Sequence, residues 1–369
     1  MDMSLKKFSV YIGRFQPPHI GHISTIKYCL DISDIAIVVL GSANSSRDVK
    51  NPFTDSERVG MIRDCFSDEE NARIVITFVE DRFYQNAHWI TDVHQAVARE
   101  VSKFGWADKG HDITIVGYKK DRTSWYLDCF PQWKEVLIEA HKGDVEYAEP
   151  INSTEIRDLF FEGRVSYIKS VVDESVYKFI LGFMQTETYG LLKSEYKAHL
   201  EYEKIFQNIP PSWSVNFYTC DAVVVQSGHI LLVRRAEMPG KGLWALPGGH
   251  VGSTETSEDA AIRELIEETS LKVPEKVLRG SIRNKRVFEN PDRSLRCRVS
   301  STRGRTITHA YNFVLDDSQK LPKVKGASDA AEENGGKAWW FPIGELKMMR
   351  DQMFEDHYDI AWYFIDQLN

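Results

Sequence analysis

The sequence predicts an α/β chain of two domains, the first built on a doubly wound parallel sheet and the second of α+β type. Short apolar runs rich in β-branched residues recur as far as residue 116, and helical patterns fill the intervals between them. Further along, a hairpin signal precedes an amphipathic acidic helix, which is typical of a mixed domain. We expect the domains to span residues 1–185 and 213–369, with a helical joint at residues 186–212.

The first domain alternates strands and helices. The apolar runs predict strands at residues 8–12, 35–40, 74–79 and 113–116. Helical patterns at residues 23–30 and 88–101 fit the intervals between these strands. Ligands of such sheets collect at the carboxyl ends of the strands, so that edge is where we look for a site.

The joint and the start of the second domain are predicted from a change of pattern. Residues 174–207 are helical, polar and rich in aromatic side chains, and the Pro-Pro pair at 210–211 ends that pattern. Beyond it, apolar runs at residues 219–226 and 230–234 flank the Ser-Gly pair at 227–228. Two strands separated by such a pair predict a β-hairpin.

Length and charge limit the classes of protein to consider. A chain of 369 residues exceeds what one hydrophobic core normally supports, so two domains are expected. The formal net charge is -8, from 46 basic and 54 acidic residues. This balance argues against a nucleic-acid partner, and anionic ligands therefore need local basic sites.

The cysteines and the N-terminus indicate a soluble cytoplasmic protein. The five cysteines are scattered and never form a C-x-x-C pair, so neither a disulfide framework nor a zinc site is predicted. The N-terminus lacks an apolar signal core, and no stretch is long enough to span a bilayer. We expect no membrane partner, and the oligomeric state stays open.

Three glutamates in the second domain carry the clearest chemical signal. Glu267 and Glu268 follow Glu264 by three and four residues, which places the three carboxylates on one face of a helix. Because like charges so close repel, we expect a cation between them. Oxygen ligands favour a hard divalent ion, Mg2+ or Mn2+, which can neutralise a diphosphate and activate water. The alternative is a solvated acidic helix face.

A second signal lies where the first strand gives way to the first helix, at residues 13–22. Gly13 lets the backbone come close to a ligand, and Arg14, His19 and His22 bring positive or donor groups to a helix start. This combination suits a polyphosphate. The alternative is an ordinary strand-to-helix turn with incidental histidines.

A third cluster follows a short extended run at residues 150–157. Ser153 or Thr154 is expected to cap a helix whose free amides hold phosphate oxygens, and Arg157 adds a cation in the first turn. Taken alone, the cluster reads equally well as a simple capping box.

The first half resembles the nucleotidyltransferases that carry an H-x-G-H motif and a C-terminal S-T-x-x-R motif. Residues 41–44, 51–58 and 84–89 are similar to the archaeal-type nicotinamide mononucleotide (NMN) adenylyltransferases. Residues 117–127 and 130–133 resemble the version fused to a Nudix domain. The resemblance implies adenylyl transfer from ATP to NMN, giving NAD and pyrophosphate.

The resemblance also implies roles for the residues of the first half. His19 and His22 would stabilise the α-phosphate in the transition state and Arg14 would bind phosphate, while the loop at Gly13 and Phe15 would contact the nucleotide. Ser153, Thr154 and Arg157 would hold the β- and γ-phosphates, with Mg2+ as a bridge. Trp89 would stack on the nicotinamide, with Asp81 near its carboxamide, although a tryptophan in an amphipathic helix is as readily a core residue.

The second half resembles the Nudix box, the signature of hydrolases that act on a nucleoside diphosphate linked to another group. The matching positions are Gly249, Glu255, Arg263, Glu264, Leu265, Glu267, Glu268 and Leu271. Ser270 departs from the pattern, because glycine usually ends the helix there. The resemblance implies Glu264 and Glu268 as metal ligands, Glu267 as a further ligand or catalytic group, and Arg263 as the residue that orients the carboxylates.

The substrate of the second half is less sharply predicted. The resemblance favours ADP-ribose, hydrolysed to AMP and ribose 5-phosphate, over a 2'-phosphorylated relative, NADH or NAD. A domain that only senses ADP-ribose or NAD is an alternative, because residues 295–302 look like an insertion and Ser328, beside Asp329, replaces an expected acid. The hydrolytic base therefore stays open.

Two other activities compete for the first half. An H-x-G-H motif also occurs in aminoacyl-tRNA synthetases, but the sequence lacks a K-M-S-K-S-like loop, and its negative charge is unfavourable for binding tRNA. Transfer of a nucleotidyl group to another phosphorylated alcohol, such as phosphopantetheine, is the second competitor.

Overall fold

The structure is a computed structural model that describes residues 6–104, 111–118, 122–139, 152–206, 216–289, 305–325 and 338–368. The chain divides into two compact units, Met1–Lys193 and Ser194–Asn369, here called the first and second unit. The division falls within one long helix.

The first unit contains a five-stranded parallel sheet. Its strands are β1 (Lys6–Gly13), β2 (Ile35–Leu40), β3 (Ile74–Phe78), β4 (His111–Gly117) and β5 (Lys134–Leu137). Their order across the sheet is β3-β2-β1-β4-β5, and every neighbouring pair is parallel. The strand order reverses between β1 and β4, so the carboxyl ends of these two strands form a topological switch point, where ligands of such sheets bind.

Helices cover both faces of this sheet. The helices of this unit are α1 (Ile20–Ile32), α2 (Asp55–Arg63), α3 (Asp68–Asn71), α4 (Asn86–Lys103), α5 (Ser153–Glu162), α6 (Val165–Ile168), α7 (Glu174–Phe183) and the first part of α8 (Glu187–Phe206). Val93 and Val97 of α4 share a core with one face of β1, whereas Ile26 of α1 shares a separate core with Val38 of β2. Two cores on opposite faces confirm the predicted doubly wound sheet.

The second unit contains a seven-stranded mixed sheet. Its strands are β6 (Asn216–Gln226), β7 (His229–Arg234), β8 (Trp244–Ala245), β9 (Gly248–His250), β10 (Ile282–Glu289), β11 (Arg305–Val314) and β12 (Ala338–Pro342). The main path runs β10-β11-β6-β7-β12, with β8 paired to β7 and β9 to β6. Ser227 and Gly228 both have positive φ, 46° and 71°, as the predicted two-residue hairpin turn requires.

Four helices complete the described part of the second unit: α9 (Ser257–Thr269), α10 (Glu275–Gly280), α11 (Ile343–Leu346) and α12 (His357–Ile365). Ala260, Ala261 and Leu265 of α9 are fully buried in a core that includes Phe313 of β11. One face of α9 is thereby packed on the sheet, and its glutamates are on the remaining surface. Helices on a mixed sheet confirm the predicted α+β class. Among the described residues, no helix is both long and apolar enough to cross a membrane.

Candidate active sites

The loop between β1 and α1 holds the first candidate site, at the carboxyl end of the sheet. His19 is the residue that immediately precedes α1. At Gly13, a Cβ atom would lie 3.0 Å from Cε2 of Phe15, so a larger residue would press on this buried ring. Steric fit against Phe15 is a reason for this glycine that the sequence pattern does not reveal.

His19 and His22 lie face to face at the start of α1. Their ring centroids are 3.7 Å apart, and the His19 amide donates to Nδ1 of His22 at 3.2 Å. Burial and the nearby Arg14 lower the pKa of His22 to about 3. The ring is therefore neutral near pH 7, and because Nδ1 accepts, its proton is on Nε2. That N–H is a donor suited to a phosphate oxygen.

The Phe15 side chain is buried and lies against the His22 ring. The side chain is 1% exposed, and its ring centroid is 4.7 Å from that of His22. The backbone at Phe15 is left-handed, with φ 53°. Because the side chain is buried, Phe15 could contact a nucleotide only through its backbone. The predicted nucleotide-binding role of this residue is therefore limited to its backbone atoms.

The helix of the second motif begins one residue earlier than predicted. Asn152, not Ser153 or Thr154, is the N-cap of α5, and its Oδ1 accepts from the Glu155 amide at 3.0 Å. Three consecutive residues here are suitable caps, and backbone geometry selects the first. The predicted capping role of Ser153 and Thr154 is wrong for that reason.

The structure brings the second motif against the first. Ser153 Oγ donates to the Pro17 carbonyl at 3.2 Å. Arg157 is 2% exposed, and its Nη1 donates to the Gln16 carbonyl at 2.8 Å. Its Nη2 donates to Thr154 Oγ1 at 3.3 Å. Residues about 140 positions apart in the chain therefore meet at the loop between β1 and α1. The Arg157 guanidinium brings a positive charge to this loop and also binds its backbone.

The residues predicted for the nicotinamide lie in the same unit. Trp89, on α4, is half-buried and packs against Trp125 and Tyr126 with centroid distances of 5.8 and 6.1 Å. Asp81 follows β3, and its Oδ2 accepts from Ser42 Oγ at 2.7 Å. Part of the Trp89 ring stays exposed, so both a packing role and a stacking role suit it.

Arg58 is a buried residue for which the sequence pattern predicts no role. Its side chain is fully buried, and it donates to the carbonyls of Arg14 and Gly41 at 2.6 and 2.7 Å. A capping box from Thr54 to Glu57 signals that α2 starts nearby. Nothing in that pattern distinguishes Arg58 from a surface arginine.

The second candidate site is organised by Arg263 on α9. Its guanidinium makes a bidentate pair with Glu255 at 2.7 and 3.0 Å. Nη1 also contacts Glu264 at 2.8 Å and Glu267 at 3.0 Å. One planar cation thus contacts three carboxylates, of which Glu264 and Glu267 belong to the predicted metal-binding glutamates, and no contact of Arg263 with Glu268 is seen.

Glu264 and Glu268 face the strand that precedes α9. A Cβ atom at Gly249 would lie 2.5 Å from Glu264 Oε1, so a larger residue would displace this carboxylate from its position. The Gly248 amide donates to Glu268 Oε2 at 3.0 Å. Burial, reinforced by the Glu264 charge, raises the pKa of Glu268 to about 7 despite that hydrogen bond.

This carboxylate pair fits a divalent cation. Both groups offer hard oxygen donors, and a bound cation would relieve the repulsion between Glu264 and the buried Glu268. Glu267 differs, because its side chain is 59% exposed and turned to Arg263. Within the described ranges, no three acidic, histidine or cysteine side chains form a closed metal cluster. Glu264 and Glu268 are therefore the residues best placed to hold Mg2+ or Mn2+.

Several sequence-based expectations lie outside the described residues. These are Asp329 with its neighbour Ser328, and the insertion at residues 295–302.

Comparison with known families matches each half separately. The cytidylyltransferase-like family matches residues 10–158, and the NUDIX domain family matches residues 218–363. A nicotinamide/nicotinic acid mononucleotide adenylyltransferase of Acinetobacter baylyi is 35% identical over 191 residues, which is 52% of this chain and 94% of the relative. A nicotinamide-nucleotide adenylyltransferase of Sulfurisphaera tokodaii is 29% identical over 47% of this chain and 89% of its own.

A solved structure matches the whole chain. It is a bifunctional NMN adenylyltransferase/ADP ribose pyrophosphatase from Francisella tularensis, complexed with AMP and a manganese ion. The two are 32% identical, with a TM-score of 0.83, and the match covers 99% of this chain and 100% of that one. The chain therefore belongs to the family of bifunctional proteins that join an NMN adenylyltransferase domain of the cytidylyltransferase-like type to a NUDIX domain.

Proposed function

We propose that the first unit transfers the adenylyl group of ATP to NMN, giving NAD and pyrophosphate. An oxygen of the NMN 5'-phosphate attacks the α-phosphorus of ATP and forms a P–O bond. The bond from that phosphorus to the bridging oxygen breaks, and its electron pair goes to pyrophosphate. The attacking phosphate is already ionised near neutral pH, so the step needs no general base.

The observation that carries this proposal is the neutral His22 beside His19 at the helix start. His22 Nε2–H can donate to a non-bridging α-phosphate oxygen. Because the ring is neutral, the site avoids the desolvation cost of burying a charged imidazolium beside Arg14. Arg14 supplies positive charge next to it. A divalent cation, when bound, would neutralise part of the triphosphate charge. The remaining contribution is alignment of two anionic substrates.

An acceptor panel tests the first activity. The purified protein is given ATP with NMN, its deamidated acid or phosphopantetheine, and pyrophosphate release is followed. We expect turnover with NMN and formation of NAD. Turnover with phosphopantetheine alone would refute the proposal.

We further propose that the second unit hydrolyses ADP-ribose to AMP and ribose 5-phosphate. Support comes from the Glu264 and Glu268 pair, held between Gly248–Gly249 and Arg263, and from the ADP ribose pyrophosphatase named in the similar Francisella protein. Bound Mg2+ or Mn2+ would polarise the diphosphate and lower the pKa of an attacking water. The protein itself contributes by holding the two carboxylates in fixed positions, Glu264 through Arg263 and Glu268 through the Gly248 amide.

The matched test of this activity uses Glu268→Gln, which keeps shape and removes charge. The wild-type protein should release AMP from ADP-ribose in the presence of Mg2+, and the variant should not. NADH and NAD are run in parallel to define preference. Absence of AMP above the variant, with ADP-ribose binding retained, would instead favour a sensor domain.

A further inference from the structure

Two buried arginines hold the backbone of the loop between β1 and α1, one on each side of Phe15. Arg58, from α2, donates to the Arg14 carbonyl at 2.6 Å, and Arg157, from α5, donates to the Gln16 carbonyl at 2.8 Å. Buried carbonyls need donors, and charged donors make the stronger bonds. The Arg14–Phe15 and Gln16–Pro17 peptide units, on either side of the Phe15–Gln16 unit, are therefore clamped from two separate helices.

Arg58 also holds the loop that follows β2. The same Nη1 donates to the Gly41 carbonyl at 2.7 Å, and Nη2 donates to the Ser42 carbonyl at 3.3 Å. The Asp55 carboxylate, 2.6 Å from Nη2, balances the buried charge. A guanidinium can reach all these acceptors at once because its donors form a planar fork, whereas a lysine presents a point charge.

This clamp leads directly to His22. Phe15 is left-handed at φ 53°, a conformation that bulky side chains rarely adopt, so its surroundings must hold it there. In that conformation its ring lies 4.7 Å from the His22 ring. Arg14, whose carbonyl Arg58 holds, is the neighbouring charge that acts on His22. Arg58 thus holds the backbone from which the Phe15 ring and the Arg14 side chain extend toward His22.

We propose that Arg58 is a positioning residue for adenylyl transfer: it fixes the loops after β1 and β2 so that Arg14 and His22 meet the α-phosphate. This inference rests on the proposed activity of the first unit. It assigns Arg58 no contact with substrate. Its effect is exerted through the Arg14 carbonyl and through Phe15.

Three variants test the role in the full-length protein. Arg58→Met removes the clamp, Arg58→Lys keeps the charge without the fork, and Arg63→Met is the control on the same helix. Arg63 is suitable because its Nη1 donates to the Asn71 carbonyl at 2.9 Å, which ties α2 to α3 instead. Steady-state kcat and KM for ATP and NMN are measured per nucleotide-binding site counted by calorimetry.

We expect kcat to fall about 100-fold in Arg58→Met and about 10-fold in Arg58→Lys, with KM for ATP rising less than kcat falls, because misplacement of aligned groups acts mainly on the transition state. Arg63→Met should stay within about 2-fold of wild type. A purely structural role would reduce the number of binding sites but leave kcat per site unchanged, and that result would overturn the inference.

Two further measurements keep the test decisive. Should Arg58→Met not fold, Arg58→Lys carries the test, and a wild-type kcat per site in that variant refutes the inference. Methylguanidinium added to Arg58→Ala should restore activity, and it should not affect Arg63→Ala. If the wild-type protein itself makes no NAD, the proposed function fails, which is a different outcome from a failure of the Arg58 role.

Discussion

His19 and His22 stack with their ring planes 27° apart and their centroids 3.7 Å apart. Two imidazolium ions at that separation would repel, and the lowered pKa of His22 keeps at least one ring neutral. The pair therefore does not carry two fixed charges, and in the proposed reaction it would act through N–H donation. A site built this way depends on geometry, so the loss of one ring should affect turnover more than nucleotide affinity.

The first prediction concerns His22→Gln. We expect kcat for adenylyl transfer to fall about 100- to 1000-fold, because one preorganised donor to the transition state is lost. KM for ATP should rise less than about 5-fold, because the other phosphate contacts remain. Steady-state kinetics with varied ATP measures both constants.

The control for this substitution is His111→Gln. His111 is the first residue of β4 and lies at the amino-terminal end of that strand, whereas the histidine motif follows the carboxyl end of β1. Its ring packs on Phe8. Its kinetics should match wild type. Equal losses in the two variants would show that His22 has only a structural role.

The second prediction concerns acid stability of the first unit. Because the pKa of His22 is about 3 in the folded state and about 6.5 when unfolded, the unfolded chain binds more protons between those values. Stability is therefore full above pH 6.5 and declines as the pH falls toward 3. Between pH 7 and pH 5, His22 should account for a loss of at most about 2 kcal/mol.

His22→Gln should remove this part of the acid sensitivity. The free energy of unfolding of the variant and of the wild type is measured by urea titration at pH 7 and at pH 5. Hydrogen exchange of peptides from α1 reports the unfolding of the first unit. The same decline with pH in both proteins would contradict the prediction.

Pattern alone predicts the parallel sheet well, because buried strands are continuous apolar runs. Ile35–Leu40 is buried at every position and coincides with its predicted strand. The edge strand Lys134–Leu137 is mostly exposed, so it lacks that run and was not predicted. The cap of α5 was misplaced because adjacent residues were chemically equivalent caps.

The residues of the candidate sites also differ in how well the sequence predicts them. The carboxylates on α9 follow from helical spacing within one element, so Glu264 and Glu268 were predictable from sequence. The buried state of Arg58 and the contact of Arg157 with Gln16 depend on elements far apart in the chain. Local sequence carries no signal for such pairs, since surface and buried arginines occupy similar helical positions.

The third prediction uses Arg263→Lys. A lysine cannot maintain the bidentate pair with Glu255 while also orienting Glu264 and Glu267. We expect AMP release from ADP-ribose to fall about 10- to 100-fold, as is typical when residues that orient metal ligands are changed.

Arg279→Lys is a matched control for that substitution. Arg279 also pairs with three carboxylates, those of Glu258, Asp259 and Glu275, but it contacts the first turn of α9 rather than the Glu264 and Glu268 pair. Hydrolysis should be unchanged. Comparable losses in both variants would mean that general surface charge, not carboxylate orientation, sets the rate.

The fourth prediction concerns Ser270, which ends α9 in a left-handed conformation at φ 48° and ψ 33°. The backbone thus adopts the geometry that favours glycine, and serine has to adopt it despite its Cβ. Ser270→Gly should stabilise the second unit by about 0.5–1 kcal/mol, the relief of strain exceeding the added chain entropy. Calorimetry should show its unfolding transition rise by roughly 2–4 °C.

Ser270→Ala separates strain from the loss of the hydroxyl. Alanine keeps the Cβ, so it should bring no stabilisation, and neither variant should change AMP release because Ser270 supplies no carboxylate. A lower transition temperature in Ser270→Gly would mean that the serine side chain itself stabilises the end of the helix. In that case the departure from the glycine pattern would be a stabilising feature of this chain, and the left-handed backbone would be sustained by side-chain contacts.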